Sequence, residues 1–269
     1  MRVSSWNIMH GINLQRPTTN GFPSIDPAEL NEACAEITTD VLAVQELDQY
    51  QNRSGNLDQA ALISAKTGLA SYRFAPTVLG NPDQGKKGWQ PAAGSDFDQE
   101  NESCQPRYGI GLFTNYPVKN WYRLDLVGAR ITTPIAIPGE NGKPRLIWIN
   151  DEPRVVLAAE LETQLGPIIA ATTHLSFVPI RNLRQLRITL NWLAQFPQPK
   201  VLLGDLNLPA RVIKYATSLR RTPTTPTFPI GNPKAQFDHI LTTRDREISE
   251  VSTKQMLVGD HLMISATIN

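Results

Sequence analysis

Residues 167–207 read PIIAATTHLSFVPIRNLRQLRITLNWLAQFPQPKVLLGDLN and contain three successive periodic segments. The apolar runs at 167–173 and 200–204 are typical of buried strands. Between them, 179–196 predicts a helix, because its leucines recur at steps of three and four residues. This strand–helix–strand order is typical of an α/β protein.

Similar short runs rich in Val, Ile and Leu recur along the whole chain and predict further strands. With the two above, they lie near 2–9, 41–46, 72–79, 108–114, 118–127, 145–150, 155–162, 167–173, 200–204, 237–243, 247–256 and 262–268. Two more helices are predicted, at 27–38 after a capping Asp26 and at 57–67 before Gly68. Strands both alternate with helices and follow one another directly, which favours a mixed α/β sandwich over a purely parallel sheet.

The composition is that of a globular protein with a sizeable core. The chain has 269 residues, a net charge of +1 and 41% hydrophobic residues, with enough aromatic residues to exclude a fully disordered chain. No apolar run approaches the roughly 18 residues of a membrane span, so stable membrane insertion is not expected. Met1 leads directly into a predicted strand without a signal peptide, which predicts a cytoplasmic protein if Met1 is the native start.

We expect a single domain over residues 1–269 with a polar insertion at about 80–106. That segment lacks clear periodicity, and loops of such length in a compact domain are usually functional or disordered. The two cysteines form no disulfide framework or metal motif; Cys34 lies in a predicted helix and is expected to be buried.

Charge is distributed unevenly along the chain. Residues 1–106 carry 7 basic and 13 acidic side chains, whereas residues 107–269 carry 19 and 12. A basic half can attract anionic substrates, although ordinary solvated surface is the commoner reason for such a bias. Within it, Arg181, Arg184 and Arg187 recur every three residues, and a solvated helix face is again the commoner interpretation.

Polar residues capable of acid–base chemistry or metal binding lie at or beside the ends of predicted strands. They are Asn7, Glu46, His174, Asp205, Asn207, Asp238, Asp260 and His261. A single residue of this kind is usually a turn or cap residue. Their recurrence is typical of an active site built where strands end.

Six short motifs that contain these residues resemble, in order, those of the endonuclease/exonuclease/phosphatase superfamily. They are WNI at 6–8, QELD at 45–48, THL at 173–175, GDLN at 204–207, FDHI at 237–240 and GDH at 259–261, supported by RSG at 53–55, DQ at 58–59, YGIGL at 108–112 and EPR at 152–154. The resemblance covers the chain except 80–106 and about 129–143. It implies a deoxyribonuclease-like fold, a four-layer α/β sandwich with two mixed sheets face to face and helices outside.

The same resemblance implies hydrolysis of a phosphate ester by activated water with Mg²⁺ or Mn²⁺ as cofactor. Mg²⁺ prefers oxygen ligands and often uses one or two carboxylates, so Glu46 is the first choice as a metal ligand. Asn7 would offer an amide oxygen beside it or orient it through its NH₂ group. Asp260 would complete the metal site or hold a second ion.

Five further residues have catalytic roles under the resemblance. Asp205 would orient the attacking water or take its proton, and Asn207 would donate to a phosphate oxygen. His261 would stabilise the phosphoryl oxygens while Asp238 fixes its ring. His174 would protonate the leaving group or bind a nonbridging oxygen.

Arg53, Tyr108 and Arg154 are candidate substrate contacts, since a guanidinium matches phosphate oxygens well. A surface arginine at 53 and a structural ion pair at 154 are equally open. His239 is expected to be structural because its side chain should point away from that of Asp238. Nothing specific in the sequence supports a role for His10.

The expected function is therefore a phosphodiesterase-type hydrolase, with a nuclease acting on DNA or RNA and a non-catalytic ligand- or partner-binding relative as alternatives. Near-neutral charge, an acidic insertion and the lack of a long basic run favour a small-molecule or lipid-derived phosphoester over nucleic acid.

Overall fold

The computed structural model describes residues 1–16, 25–97, 103–126, 133–138, 144–149 and 151–269. The strands are β1 (Arg2–Asn7), β2 (Val41–Gln49), β3 (Ser71–Gly80), β4 (Trp89–Pro91), β5 (Arg107–Thr114), β6 (Val118–Leu126), β7 (Thr133–Pro138), β8 (Pro144–Ile149), β9 (Arg154–Thr163), β10 (Gly166–His174), β11 (Lys200–Asp205), β12 (Arg220–Arg221), β13 (Asp238–Thr242), β14 (Ile248–Lys254) and β15 (Met263–Ile268). The α-helices are α1 (Pro27–Ala35), α2 (Gln59–Thr67), α3 (Arg181–Leu193) and α4 (Ala210–Ala216).

The strands form two large mixed sheets. The seven-stranded sheet has the order β14-β15-β1-β2-β5-β3-β4, and the six-stranded sheet has the order β12-β13-β11-β10-β9-β6. Strands β1 and β2 are parallel, as are β10 and β11, and the other pairs are antiparallel. Strands β7 and β8 form a separate hairpin. The parallel pairs matter because each brings the carboxyl ends of two strands to one edge.

Three apolar clusters define four layers. The first lies between the sheets, where side chains such as Val3 and Leu157 are fully buried. The second joins α1 and α2 to the outer face of the seven-stranded sheet, and the third joins α3 and α4 to the outer face of the six-stranded sheet. The predicted four-layer α/β sandwich is therefore confirmed.

The predicted helices and strands all exist, with shifted ends. The helix predicted over 27–38 ends at Ala35, and that predicted over 179–196 covers Arg181–Leu193. Strands β4 and β12, of three and two residues, and the seven-residue helix α4 were not predicted, because they are too short to show a period. Strand β7 was not predicted either.

The described part of the insertion contains regular structure. Strand β4 pairs antiparallel with the end of β3, and 3₁₀ segments lie at Pro82–Lys87 and Gly94–Phe97. Three acidic residues of this segment, Asp98, Glu100 and Glu102, lie outside the described residues. Cys34 is buried, as expected. Within the described part of the chain, no helix has the length and apolarity to cross a membrane.

Candidate active site

The candidate site lies at one edge of the sandwich, where strands of both sheets end. Asn7 ends β1 of the seven-stranded sheet, whereas His174 and Asp205 end the parallel strands β10 and β11 of the six-stranded sheet. Asn7 Nδ2 donates to Asp205 Oδ2 at 3.2 Å. This bond joins the two sheets across the site.

Glu46 reaches this edge through a bulge. It was expected at the end of a strand, but it lies inside β2, where the register with β5 shifts between Val44 and Leu47. Its φ of 61° is rare for a residue with a Cβ and marks the extra residue of the bulge. Asn7 Nδ2 donates to Glu46 Oε1 at 3.0 Å. A bulge re-aims a side chain, so Glu46 meets Asn7 although its strand continues.

The Glu46 carboxylate is ionised in this setting. Burial opposes its ionisation, but the neighbouring imidazole of His10 and the hydrogen bond from Asn7 outweigh burial and hold the pKa well below its ordinary value. His10 Nδ1 lies 3.8 Å from Glu46 Oε2. His10 is thus a neighbour of the site that sequence reasoning had left without a role.

Just before Asp205, the backbone of β11 lies very close to the backbone of β10. Gly204 has a φ of 146°, and a Cβ added there would lie 2.0 Å from the carbonyl oxygen of Thr173 on β10. Asp205 Oδ1 accepts from the backbone N–H of Asn207 at 2.9 Å. Burial raises the pKa of Asp205 to about 7, so the carboxyl is poised to exchange a proton near neutral pH.

We expect Gly204→Ala to destabilise the fold strongly, by about 3 kcal/mol or more, because the new methyl group meets a backbone oxygen that cannot move alone. Gly166→Ala is the matched control, since Gly166 also has a positive φ of 90° but nothing within 4 Å of an added Cβ. It should cost only about 1–2 kcal/mol. Urea unfolding measures the free energy of unfolding of both variants. Equal losses of stability would contradict the close approach of Gly204 to Thr173.

His261 and Asp238 form a buried, hydrogen-bonded pair. His261 Nδ1 donates to Asp238 Oδ2 at 2.7 Å, which leaves Nε2 directed into the site, 3.8 Å from Asp205 Oδ2. Burial alone would lower the pKa of His261, but the negative charges of Asp238 and Asp205 outweigh it and raise the pKa to about 10. His261 is therefore an imidazolium at neutral pH.

We expect Asp238→Asn to lower the pKa of His261, because it removes the nearest negative charge. A histidine whose pKa is raised by folding contributes stability below its unfolded pKa of about 6.5, and loses it as pH rises toward 10. The wild type should therefore lose stability between pH 7 and pH 10 more steeply than Asp238→Asn. NMR titration of the histidine ring protons in EDTA measures the pKa, with the exposed Asp245→Asn as control. A His261 that titrates near 6.5 in the wild type would contradict the assignment.

His174 differs from His261 in charge. Burial, with the positive charge of Arg154, lowers the pKa of His174 to about 3, so its ring is neutral. Asn207 Nδ2 lies 3.2 Å from His174 Nε2 and donates to the carbonyl oxygen of Leu175 at 2.9 Å. The site therefore presents one charged and one neutral imidazole, a separation typical of acid–base sites.

The donor set fits a divalent cation. Asp260 Oδ1 is buried without a hydrogen bond and lies 3.8 Å from His261 Nε2. Burial raises the pKa of Asp260 to about 6; the charge of His261 opposes this rise and the charge of Glu46 adds to it. A cation beside Glu46 and Asp260 would relieve this repulsion between two carboxylates with oxygen ligands that Mg²⁺ prefers. A ligand atom from each of Asp205, Asp238 and His261 also lies within 4.8 Å of the others. The 2.7 Å bond between two of them favours an orienting pair over a metal ligand set.

Two of the expected substrate contacts, Arg53 and Tyr108, pack against each other. Arg53 makes two hydrogen bonds, of 2.8 and 2.7 Å, to the fully buried Asp48, and its guanidinium lies 5.6 Å from the ring centroid of Tyr108. Tyr108 is only 8% exposed. The Arg53 side chain remains 16% exposed. Asp48 belongs to the QELD motif, but its role as anchor was missed.

Arg154 takes part in a buried ion-pair network. Its side chain is 3% exposed and lies 2.8 Å from Glu152 Oε1 and 3.4 Å from Asp151 Oδ1. Ser176 Oγ donates to Asp151 Oδ2 at 2.8 Å. This arrangement agrees with the interpretation of Arg154 as part of a structural ion pair. No pattern in the sequence indicates that Asp151 is its partner. His239, as expected for a structural residue, is buried with Nε2 at 2.8 Å from the Leu208 carbonyl oxygen.

Solved structures of known proteins share this fold. An endonuclease/exonuclease/phosphatase from Beutenbergia cavernae is 17% identical with a TM-score of 0.63, and the match covers 100% of this chain and 71% of that one. A mannosyl-6-phosphatase from Bacteroides thetaiotaomicron is 11% identical with a TM-score of 0.62, covering 100% and 99%. The catalytic domain of human Nocturnin, solved with a bound sulfate, is 16% identical with a TM-score of 0.58, covering 100% and 94%.

Sequence comparison places the chain in a family. None of the curated proteins matches it. The model described as the Endonuclease/Exonuclease/phosphatase family matches residues 4–261, which include every residue of the candidate site. The chain belongs to the endonuclease/exonuclease/phosphatase family, whose members are typically phosphoester hydrolases that use a divalent metal.

Proposed function

We propose that this protein is a Mg²⁺- or Mn²⁺-dependent hydrolase that cleaves a phosphate ester by direct attack of water. One observation carries the proposal: Asn7 donates hydrogen bonds to both Glu46 and Asp205, and His261, held by Asp238, lies 3.8 Å from Asp205, so side chains from both sheets converge on one cluster. A buried cluster of opposed titratable groups is costly for stability, which favours a catalytic role over a merely structural one.

Glu46 and Asp260 would hold the cation. When bound, it supplies positive charge that offsets the negative charge of the phosphate and lowers the pKa of water. Asn7 has a different role in this arrangement. Its Oδ1 accepts from the backbone N–H of Met9 at 3.0 Å, and its NH₂ group donates to Glu46 and Asp205. We therefore assign Asn7 as a positioning residue that fixes both carboxylates.

Asp205 would orient the attacking water and accept its proton, because its pKa of about 7 suits a general base at neutral pH. The His261 imidazolium would donate from Nε2 to a phosphoryl oxygen, while Asp238 keeps Nδ1 engaged. His174 Nε2 lies 3.6 Å from Asp205 Oδ2. Since the NH₂ group of Asn207 already contacts the Leu175 carbonyl oxygen and His174 Nε2, Asn207 would position the neutral His174 ring beside a nonbridging oxygen or the leaving group.

For substrate, a small-molecule or lipid-derived phosphodiester is the first candidate, since the whole chain is nearly neutral. One similar structure is titled a mannosyl-6-phosphatase, which is an enzyme that acts on a small phosphorylated sugar. A nuclease is the second candidate, favoured by the basic outer layer described below. A binding-only relative would have no need of the opposed pKa values of Asp205 and His261.

The test is a substrate panel. Bis(p-nitrophenyl) phosphate, p-nitrophenyl phosphate, plasmid DNA and a single-stranded oligonucleotide would each be incubated with Mg²⁺, Mn²⁺ or EDTA. We expect metal-dependent hydrolysis of at least the diester, which identifies the enzyme, and the preferred member of the panel identifies the substrate class. Folded protein that hydrolyses none of the four with either metal would overturn the proposal.

A further inference from the structure

The outer layer of the six-stranded sheet has an unusual charge distribution. From Thr163 to Phe237 the chain contains nine basic residues and one acidic residue, Asp205. Asp205 is 2% exposed and belongs to the catalytic cluster, so the surface of this segment carries positive charge alone. Solvated helix faces normally mix both signs, as the i,i+4 pairing of charges favours. The uniform sign of this segment instead suits an anionic ligand.

This segment forms a continuous groove, here called the α3–α4 groove. Its central part is a cavity of about 410 Å³ between α3 and α4; the lining is Leu183, Arg187, Arg211, Val212, Tyr215 and Ala216. A second cavity, of about 450 Å³, continues along α3 and shares Arg187 and Ala216 with the first. A third, of about 370 Å³, shares part of its wall with the second and is lined by Lys214 and the arginines of β12.

The cations of the groove are available to a ligand. Arg184, Arg187, Arg211, Lys214, Arg220 and Arg221 are all exposed. Within the described residues, the ion pairs nearest to this surface join Arg181 to Asp151 and Arg246 to Asp245, and none involves those six. The groove also exposes an aromatic ring, because Tyr215 is 83% exposed with Lys214 Nζ 5.5 Å from its centroid.

One end of the groove lies near the catalytic edge, and the rest runs toward Lys200, where β11 begins. Asn182, in the first turn of α3, donates from Nδ2 to the carbonyl oxygen of Asn207 at 2.9 Å. Helix α4 begins at Ala210, three residues after Asn207. Both walls of the groove therefore start at the loop that carries Asp205. A ligand lying in the groove would run from that loop along α3, whose 13 residues span about 20 Å.

We propose that the α3–α4 groove binds single-stranded nucleic acid, with its arginines and lysine along the phosphate backbone and Tyr215 stacked on a base. A positive groove that contains an exposed aromatic ring is the arrangement that single strands require. The apolar floor made by Leu183 and Val212 suits an unpaired base, which a duplex does not offer. A flat lipid surface fits less well, because the cations lie in a concave groove between two helices.

The proposal is separate from the proposed reaction, because the groove binds a strand whether or not the catalytic edge cleaves it. The test uses the full chain in EDTA and a fluorescein-labelled single-stranded oligonucleotide of 12 nucleotides, followed by anisotropy at several salt concentrations. The test variants are Arg187→Gln/Arg211→Gln and Tyr215→Ala. The charge-matched control is Lys66→Gln/Lys254→Gln, at exposed positions on the seven-stranded side.

We expect wild-type binding that weakens steeply with salt. Removing two phosphate contacts should reduce the slope of log K against log salt by about 1.4 and raise Kd about tenfold at 0.1 M salt. Tyr215→Ala should raise Kd about fivefold or more, without a change in slope. The control should stay within twofold of the wild type, and the unlabelled single strand should compete better than a duplex of the same sequence.

Several outcomes overturn the proposal. They are an absence of strand binding by the wild type, an equal loss in the control, a duplex that competes better, and binding to phosphatidylserine vesicles in preference to the strand. Hydrolysis of bis(p-nitrophenyl) phosphate separates this failure from failure of the proposed function. If the protein hydrolyses the diester but binds no strand, only the groove proposal is overturned. If it binds the strand but hydrolyses nothing, only the proposed reaction is overturned.

Discussion

Asp205→Asn is expected to reduce kcat/KM for a phosphate ester roughly 10³-fold, because it removes the general base. The amide can still accept the hydrogen bond from the Asn207 N–H, now 2.9 Å long. Its NH₂ group would then face Asn7 Nδ2, which now donates to Oδ2 at 3.2 Å. The variant therefore loses both the proton acceptor and one of the contacts that position Asn7. Initial rates on bis(p-nitrophenyl) phosphate with saturating Mg²⁺ measure the loss.

Asp245→Asn is the matched control, since that carboxylate is 60% exposed and lies beside Arg246. It should leave the rate within twofold of the wild type. A loss of less than tenfold in Asp205→Asn, with native circular dichroism, would remove Asp205 from the role of base. An equal loss in both variants would point to a nonspecific effect.

Glu46→Gln is expected to raise the Mg²⁺ concentration needed for half-maximal rate by about a hundredfold or more. Even residues behind the metal ligands typically cost 10–100-fold in metal affinity, and a lost ligand charge costs at least as much. The Glu46 carboxylate is ionised at neutral pH, whereas glutamine is neutral and keeps only the shape. Rates measured against Mg²⁺ concentration separate this effect from a loss of the maximal rate.

Glu162→Gln, at an exposed position of β9, is the control for Glu46→Gln and should not shift the Mg²⁺ dependence. If Glu46→Gln needs no more Mg²⁺ than the wild type, the metal is held elsewhere. In that case the group of Asp205, Asp238 and His261 becomes the alternative site to test.

The architecture could be predicted from periodicity because most strands are long and apolar. Strand β10, for example, has seven consecutive buried residues after its first two. Helix α4 could not be predicted, because a seven-residue helix that starts after Pro209 shows less than two turns of pattern. The bulge at Glu46 was also invisible, since QEL within an apolar run looks the same whether the strand ends or bends. Bulges depend on the partner strand, which a single sequence does not reveal.

The members of the candidate site were predicted from their recurrence at strand ends and from the resemblance, but their contacts were only partly foreseen. The pairing of Asp238 with His261 came from the resemblance, and the 2.7 Å bond agrees with it. The anchors of the arginines were missed: Asp48 for Arg53, and Asp151 with Glu152 for Arg154. Buried ion pairs of this kind have no period and become visible only when the chain is folded.

The most direct test of the central claim is the rate of bis(p-nitrophenyl) phosphate hydrolysis by the wild type, first in EDTA and then with increasing Mg²⁺. The account predicts no turnover in EDTA and a saturable return of activity with Mg²⁺, because Glu46 and Asp260 would hold the cation that the reaction needs. A rate that is unchanged by EDTA, in folded protein freed of metal, would contradict it.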